Sequence, residues 1–220
     1  MGLIPEEQKQ RLKEEFERSL KDDVRIVIFT QEVECPFCKQ ARELVEEVAS
    51  ISNKIKVEVY DFVKDEERAK EYQVDKVPAI VVLGKKDYGI RFYGLPYGYE
   101  FKPFTESIIN VSKGTTNLSE ETKKKLASIE NPVHIQVLVS LTCPHCPIVT
   151  SLAHQFAMES DLVKADIIDV GEFPHLGHKY SVMGVPKTVI NEKTEFVGAI
   201  SEELFVQQVI LAQRPTSMYV

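Results

Sequence analysis

One pattern constrains this chain more than any other: Cys35-Pro36-Phe37-Cys38 returns as Cys143-Pro144-His145-Cys146. The two tetrapeptides hold all 4 cysteines of the 220 residues. Each follows an apolar run of strand type and opens an amphipathic run of helix type. A Val-Pro dipeptide then follows each pair, Val77-Pro78 and Val185-Pro186, with 43 positions from 35 to 78 and again from 143 to 186. Between the copies the offset is 108, from 35 to 143, and identities recur at it: Leu44/Leu152, Ala49/Ala157, Asp61/Asp169, Tyr72/Tyr180, Val74/Val182 and Val81/Val189. The register holds to past the proline and breaks only afterwards, where Gly94 and Gly198 differ by 104 because the second hairpin is shorter. Two copies of one domain, 1–113 and 114–220, are the simplest reading.

The patterning between these marks is that of an α/β chain. Pro5 to Leu20 reads as a surface helix with Ile4, Leu12, Phe16 and Leu20 on one side. Val24–Phe29 is a β-branched strand. A helix follows from Pro36, which suits the first helical position because its missing N–H costs little there. Lys54–Phe62 is a strand, Asp65–Tyr72 a short helix, Ala79–Leu83 and Tyr88–Tyr93 a hairpin, and Glu100 to Val111 a closing helix. After a small polar linker, 112–116, the order repeats. A second leading helix runs from Asn117, its expected N-cap, to Ile129. His134–Val139, a helix from Cys143 to Met158, Val163–Val170, a short segment to Tyr180, a hairpin over 187–199 and a helix over 202–212 follow.

Closely spaced cysteine pairs are read as metal ligands or redox catalysts. A shared four-cysteine zinc site is the main rival, but each pair has its own helix start and Val-Pro, and structural zinc pairs usually lie ~15–20 residues apart. At a helix start the first cysteine meets free N–H groups and the positive end of the dipole, which lowers a thiol pKa to roughly 3.5–7.5. Cys35 and Cys143 are therefore expected nucleophiles, with Cys38 and Cys146 as resolving thiols and Cys35–Cys38 and Cys143–Cys146 as the redox disulfides. Glu34 beside Cys35 disfavours a thiolate, whereas His145 between the second pair favours one. The C-terminal site is thus expected to have the lower nucleophile pKa and to be the main catalyst. His175 and His178 are spaced for a metal but lack further ligands and read as surface residues; His134 and His154 read as structural. No metal or cofactor is expected. A net charge of −7 without a basic cluster argues against nucleic acid or anionic membrane as partner. The N-terminus lacks a secretory pattern and no apolar run is long enough to cross a bilayer, so a cytoplasmic location is expected.

Strand, Cys-x-x-Cys, helix, strand, helix, then Val-Pro entering a hairpin and a last helix resembles the thioredoxin fold. Paired units, each led by an extra helix, resemble more narrowly the protein disulfide oxidoreductases of thermophilic archaea and bacteria. Supporting stretches are Met1-Gly2-Leu3-Ile4, Phe92-Tyr93-Gly94-Leu95-Pro96, Thr116-Asn117-Leu118 and Thr142 to Pro147. The resemblance implies tandem thioredoxin-fold units, each a mixed sheet flanked by helices. It also implies cis bonds at Val77-Pro78 and Val185-Pro186, where an extended substrate segment would pair. Disulfide reduction, formation or isomerisation in proteins is the implied activity. The implied partners are protein dithiols and disulfides, a thioredoxin reductase-like flavoenzyme and a peroxiredoxin. The alternative role is a dedicated electron carrier between such a reductase and a peroxidase. One departure stands out. Thioredoxin's buried aspartate six residues before the first cysteine is replaced by Phe29 and Val137, so a proton acceptor for the resolving thiols must come from elsewhere. Asp61 and Asp169, matched at their strand ends, read as helix caps.

Overall fold

The computed structural model describes residues 2–213, so Met1 and 214–220, the outer ends of the two expected units, lie outside the described residues. In chain order the elements are α1 (Glu6–Ser19), β1 (Val24–Thr30), α2 (Cys38–Ser50), β2 (Ile55–Asp61), α3 (Glu66–Glu71), β3 (Ala79–Leu83), β4 (Asp87–Tyr93) and α4 (Phe101–Lys113). Then come α5 (Glu120–Ala127), β5 (Val133–Val139), α6 (Cys146–Glu159), β6 (Val163–Asp169), α7 (Pro174–Lys179), β7 (Lys187–Ile190), β8 (Thr194–Val197) and α8 (Glu202–Ala212). The expected helices and strands are all present, with differences at their ends.

Those differences have local causes. Both cysteine helices begin at the second cysteine, with Phe37 and His145 as N-caps, so Cys35 and Cys143 sit in the preceding turn and Pro36 is outside the helix. The turn is closed by the Cys38 N–H on the Cys35 carbonyl at 3.3 Å. Ser119, not Asn117, caps α5, because its hydroxyl accepts the Thr122 N–H. Ser112 and Lys113 belong to α4 and not to a linker; Ser112 Oγ donates to the Asp22 carbonyl at 2.6 Å, and Gly114 ends the helix at φ 65°.

The sheets of the two copies are one sheet. Its order is β2-β1-β3-β4-β6-β5-β7-β8, eight strands joined where β4 pairs in parallel with β6. Each copy supplies four strands in the same order, so the copies are joined head to tail. β1 and β5 alternate apolar side chains to both faces, which is why they read as continuous β-branched runs. Ile26, Ile28, Ile135 and Val137 meet α1, α2, α4, α5, α6 and α8 in the large core on one face. Val27 and Phe29 meet the smaller α3 side of the sheet with Ala79, Val81 and Tyr93. Across the seam Arg91 stands in register with Asp166, both buried. Each is partnered: the Arg91 guanidinium by Asp87 and the Tyr72 carbonyl, Asp166 by His134 at 2.6 Å. A buried charge without such partners would cost several kcal/mol.

Candidate active sites at one edge of the sheet

Strand directions place the two cysteine motifs. β1 is antiparallel to β3 and β3 to β4, so β4 runs with β1; β6 runs with β4 and β5 with β6. β1 and β5 therefore end at the same edge, and both motifs leave it there. Four strand steps separate them, which at the usual spacing is roughly 19 Å. Sulfurs that far apart do not converge on one tetrahedral centre. Among the described residues no group of three or more His, Cys, Asp or Glu side chains is arranged to hold a metal.

Each pair is bonded, Cys35 to Cys38 and Cys143 to Cys146. In both, the second sulfur is the deeper: Cys38 is 3% exposed and Cys146 fully buried, whereas Cys35 is half-buried and Cys143 is 7% exposed. Val77-Pro78 and Val185-Pro186 are both cis. At the second site the Val185 carbonyl lies 3.6 Å from Cys143 Sγ. The Cys146 N–H points at Cys143 Sγ from 3.1 Å. An N–H aimed at sulfur stabilises a thiolate there. At the first site the N–H contact goes to the other sulfur, from Gln31 to Cys38 Sγ at 3.4 Å. Cys35 Sγ accepts no hydrogen bond among the described residues. Glu34 is exposed and held at φ 58°, in the left-handed region, just ahead of Cys35. His145 is exposed at the helix N-cap, and no hydrogen bond joins its ring to either sulfur. The one N–H directed at Cys143 Sγ among the described residues is thus a backbone one.

Asp61 and Asp169 cap turns, not helices. Asp61 Oδ1 accepts the N–H groups of Val63 and Lys64, and Asp169 Oδ1 that of Gly171. The helix N-caps are Asp65 and Phe173.

Sequence reasoning missed Glu100. It lies 2% exposed where the connection after β4 crosses to the second copy, and Thr150 of α6 donates to its Oε2 at 2.9 Å. Thr150 is one helical turn after Cys146, on the same side of α6. Glu100 Oε1 is buried without a partner. Burial pushes the Glu100 carboxyl up to about 7, with the nearby Asp169 adding to the rise and Thr150 opposing it. Glu172 is likewise raised to about 7 by burial while its Oε1 holds the Leu95 N–H at 2.7 Å. Burial also raises Asp169. No residue 108 positions from Glu100 repeats it, since the hairpin shortens before that point, and the repeat gave no signal.

The model of the thioredoxin domain matches twice, over residues 24–102 and 133–211. The chain belongs to the thioredoxin domain family. Its two thioredoxin domains superpose together on a protein disulfide oxidoreductase from Aeropyrum pernix with a TM-score of 0.88, at 28% identity, over 94% of this chain and 92% of that one. They superpose on the alkylhydroperoxide reductase AhpF from Enterococcus faecalis with a TM-score of 0.86, at 25% identity, over 94% of this chain and 99% of that structure's chain. An NADH dehydrogenase of Bacillus subtilis is 25% identical over 165 residues, 75% of this chain but 30% of the relative's own length. This thioredoxin-domain chain thus spans less than a third of that relative. No helix among the described residues is long and apolar enough to cross a membrane.

Proposed function

We propose that the chain exchanges dithiols and disulfides with proteins at Cys35–Cys38 and Cys143–Cys146. The carrying observation is that both pairs are disulfides at a strand-to-helix turn, with the second sulfur buried. In the reducing direction the thiolate of Cys35 or Cys143 attacks a substrate disulfide. A mixed disulfide forms and one substrate thiolate leaves. Cys38 or Cys146 then loses its proton and attacks the enzyme sulfur of that mixed disulfide. The second substrate thiol leaves, the substrate has gained two electrons, and the enzyme pair is oxidised. The reverse sequence forms a disulfide in the substrate.

Val77-Pro78 and Val185-Pro186 are the proposed pairing segments for an extended substrate, a role the closeness of Val185 to Cys143 supports. Glu100 is the proposed acceptor for the Cys146 proton, its free Oε1 and its raised pKa fitting that task near neutral pH. The Cys146 N–H on Cys143 Sγ supports the C-terminal pair as the stronger nucleophile. His145 and Glu34 act on the thiolates only through longer-range charge in this reading. Division into units 1–113 and 114–220, and a cytoplasmic location, belong to the same proposal.

The likeness to the alkylhydroperoxide reductase AhpF supports a second reading. In it the chain carries electrons between a thioredoxin reductase-like flavoenzyme and a peroxiredoxin. Insulin reduction and refolding of scrambled ribonuclease, with each cysteine pair replaced by serine in turn, test the first reading. Activity on both should fall to background when both pairs are removed. Undiminished activity in that variant would end the proposal. Failure on both proteins by the intact chain, with rapid reduction by a thioredoxin reductase, would favour the carrier.

A further inference from the structure

The head-to-tail joining gives one cysteine pair a surface that the other has covered. A groove of about 560 Å³ beside Cys35 and Cys38 is lined by Gln31, Arg42, Val59, Asp61 and Lys64, among others. At the offset of 108 the counterparts of the last four are Thr150, Ile167, Asp169 and Glu172, and strand pairing sets Val139 against Asp169 as Thr30, also in the groove, stands against Asp61. In the second copy that place is filled. The connection after β4 runs through it: Leu95 N–H donates to Glu172, Tyr99 N–H to the Leu141 carbonyl at 3.1 Å, and Glu100 accepts from Thr150. Gly98, at φ 58°, brings its backbone so close that a Cβ would stand 2.4 Å from the Leu141 carbonyl oxygen. Only about 10 Å³ is left, lined by Gly94, Leu95, Glu100, Val139, Ile167 and Asp169. Its strand edge is covered too: β6 is paired by β4, whereas β2 ends the sheet.

The molecule thus shows what such a groove accepts, namely a strand end and loop bearing a carboxylate that reaches the cysteine helix. In the open copy the two polar anchor positions have become cationic, Arg42 for Thr150 and Lys64 for Glu172. Lys39 replaces Pro147 beside them. Two of the three acids in the groove are engaged locally: Asp61 holds two backbone N–H groups and Asp65 the Asp61 N–H, while Glu32 stands exposed at the rim against the three cations Lys39, Arg42 and Lys64. The cations have only surface partners, Arg42 with Glu46 at 2.8 Å, Lys64 with Asp61 at 3.5 Å and Lys39 with Glu43 at 3.9 Å. Exposed pairs of that kind contribute little to stability, so exchanging them for an incoming carboxylate costs little.

We propose that this groove docks an extended, carboxylate-bearing segment of the separate protein that exchanges with Cys35–Cys38, the carboxylate meeting Arg42 and Lys64. A second copy fits less well. Its matching connection follows β8, a strand of 4 residues where β4 has 7. Counting from Gly198 as from Gly94, it presents Leu204 where Glu100 stands, and the nearby Glu202 is already held by Ser119. The proposal rests on Cys35–Cys38 being an exchange site, and its test separates the two.

The probe is a fluorescein-labelled peptide of the chain's own Phe92–Phe101 sequence, alongside a version with lysine in place of its glutamate. Fluorescence anisotropy with the full chain should show saturable, salt-sensitive binding of the acidic peptide. Arg42→Glu with Lys64→Glu should weaken it by about tenfold or more and reverse the preference toward the lysine peptide. No binding, or binding indifferent to the charge reversal, overturns the docking site. So does a dimer in sedimentation that Arg42→Glu dissolves, which would make the occupant a second copy. Insulin reduction by the Cys143→Ser/Cys146→Ser variant is measured in parallel. Active cysteines without peptide binding sink the docking alone. Peptide binding with inactive cysteines sinks the exchange reading and leaves the groove.

Discussion

The two cysteine sites share their local structure and differ in what surrounds them. Each has a strand ending at the same sheet edge, a turn, a helix starting at the second cysteine and a cis proline. The first lies in the copy whose outer strand is free, and its flank is an open, charged groove. The second lies in the copy whose β6 is paired, and its flank holds the foreign Glu100, with Asp169 buried and Glu172 half-buried close by. The sequence repeat sets two like sites, and head-to-tail joining makes them unequal. The difference is one of position in the sheet, since a row of two units has one end and one inner flank of this kind.

The largest expected effect is on turnover. Cys143→Ser with Cys146→Ser should lower insulin reduction by about tenfold or more, while the matching pair of changes at Cys35 and Cys38 costs only a few-fold. The opposite order would break the comparison at its root. Next comes the proton acceptor. Glu100→Gln should slow the C-terminal pair by about tenfold and remove the rise in its rate as pH passes through 7. The same change measured in a Cys143→Ser/Cys146→Ser background should leave the first pair untouched; equal losses at both pairs would mean a general structural defect.

Alkylation rates by iodoacetamide, followed against pH in variants lacking each resolving cysteine, should place the Cys143 thiol below Cys35. That ordering sets the Cys146 N–H contact against burial, and a lower Cys35 value would show that burial wins.

The smallest effects are on stability. Glu100 is raised to about 7 in the folded protein from the 4.5 of a free carboxyl. Folded protein therefore holds a proton that the unfolded chain gives up, and this contribution is full below the unfolded value and lost as pH rises through 7. Urea unfolding should show Glu100→Gln flattening the decline between pH 4.5 and about 7. His154 has the opposite sign. It is fully buried on α6, edge-on to Phe92 at 4.7 Å with neither ring nitrogen partnered, and burial lowers its pKa to about 3. Its contribution is present above 6.5 and lost as pH falls toward 3, so His154→Phe should reduce acid sensitivity on that side.

Much of this was written in the chain. β-branched runs, helical spacing of apolar residues and the Val-Pro marks act over a few neighbours, so the elements and both cysteine pairs could be read directly. So could the registered repeat, and with it two like domains. Helix starts were less legible: Pro36 and Asn117 suit helix starts, but the Cys35 turn and the Ser119 hydroxyl decided them. What surrounds each site was not legible at all. Glu100 comes to Thr150 from 50 positions away (100 to 150) because β4 pairs with β6. Nothing local to either residue encodes that pairing, which depends on which sheet edges meet. The sequence determined that Cys-x-x-Cys sits twice at a strand end. Only the tertiary structure decided that one pair has a buried carboxyl beside its helix and the other an open groove.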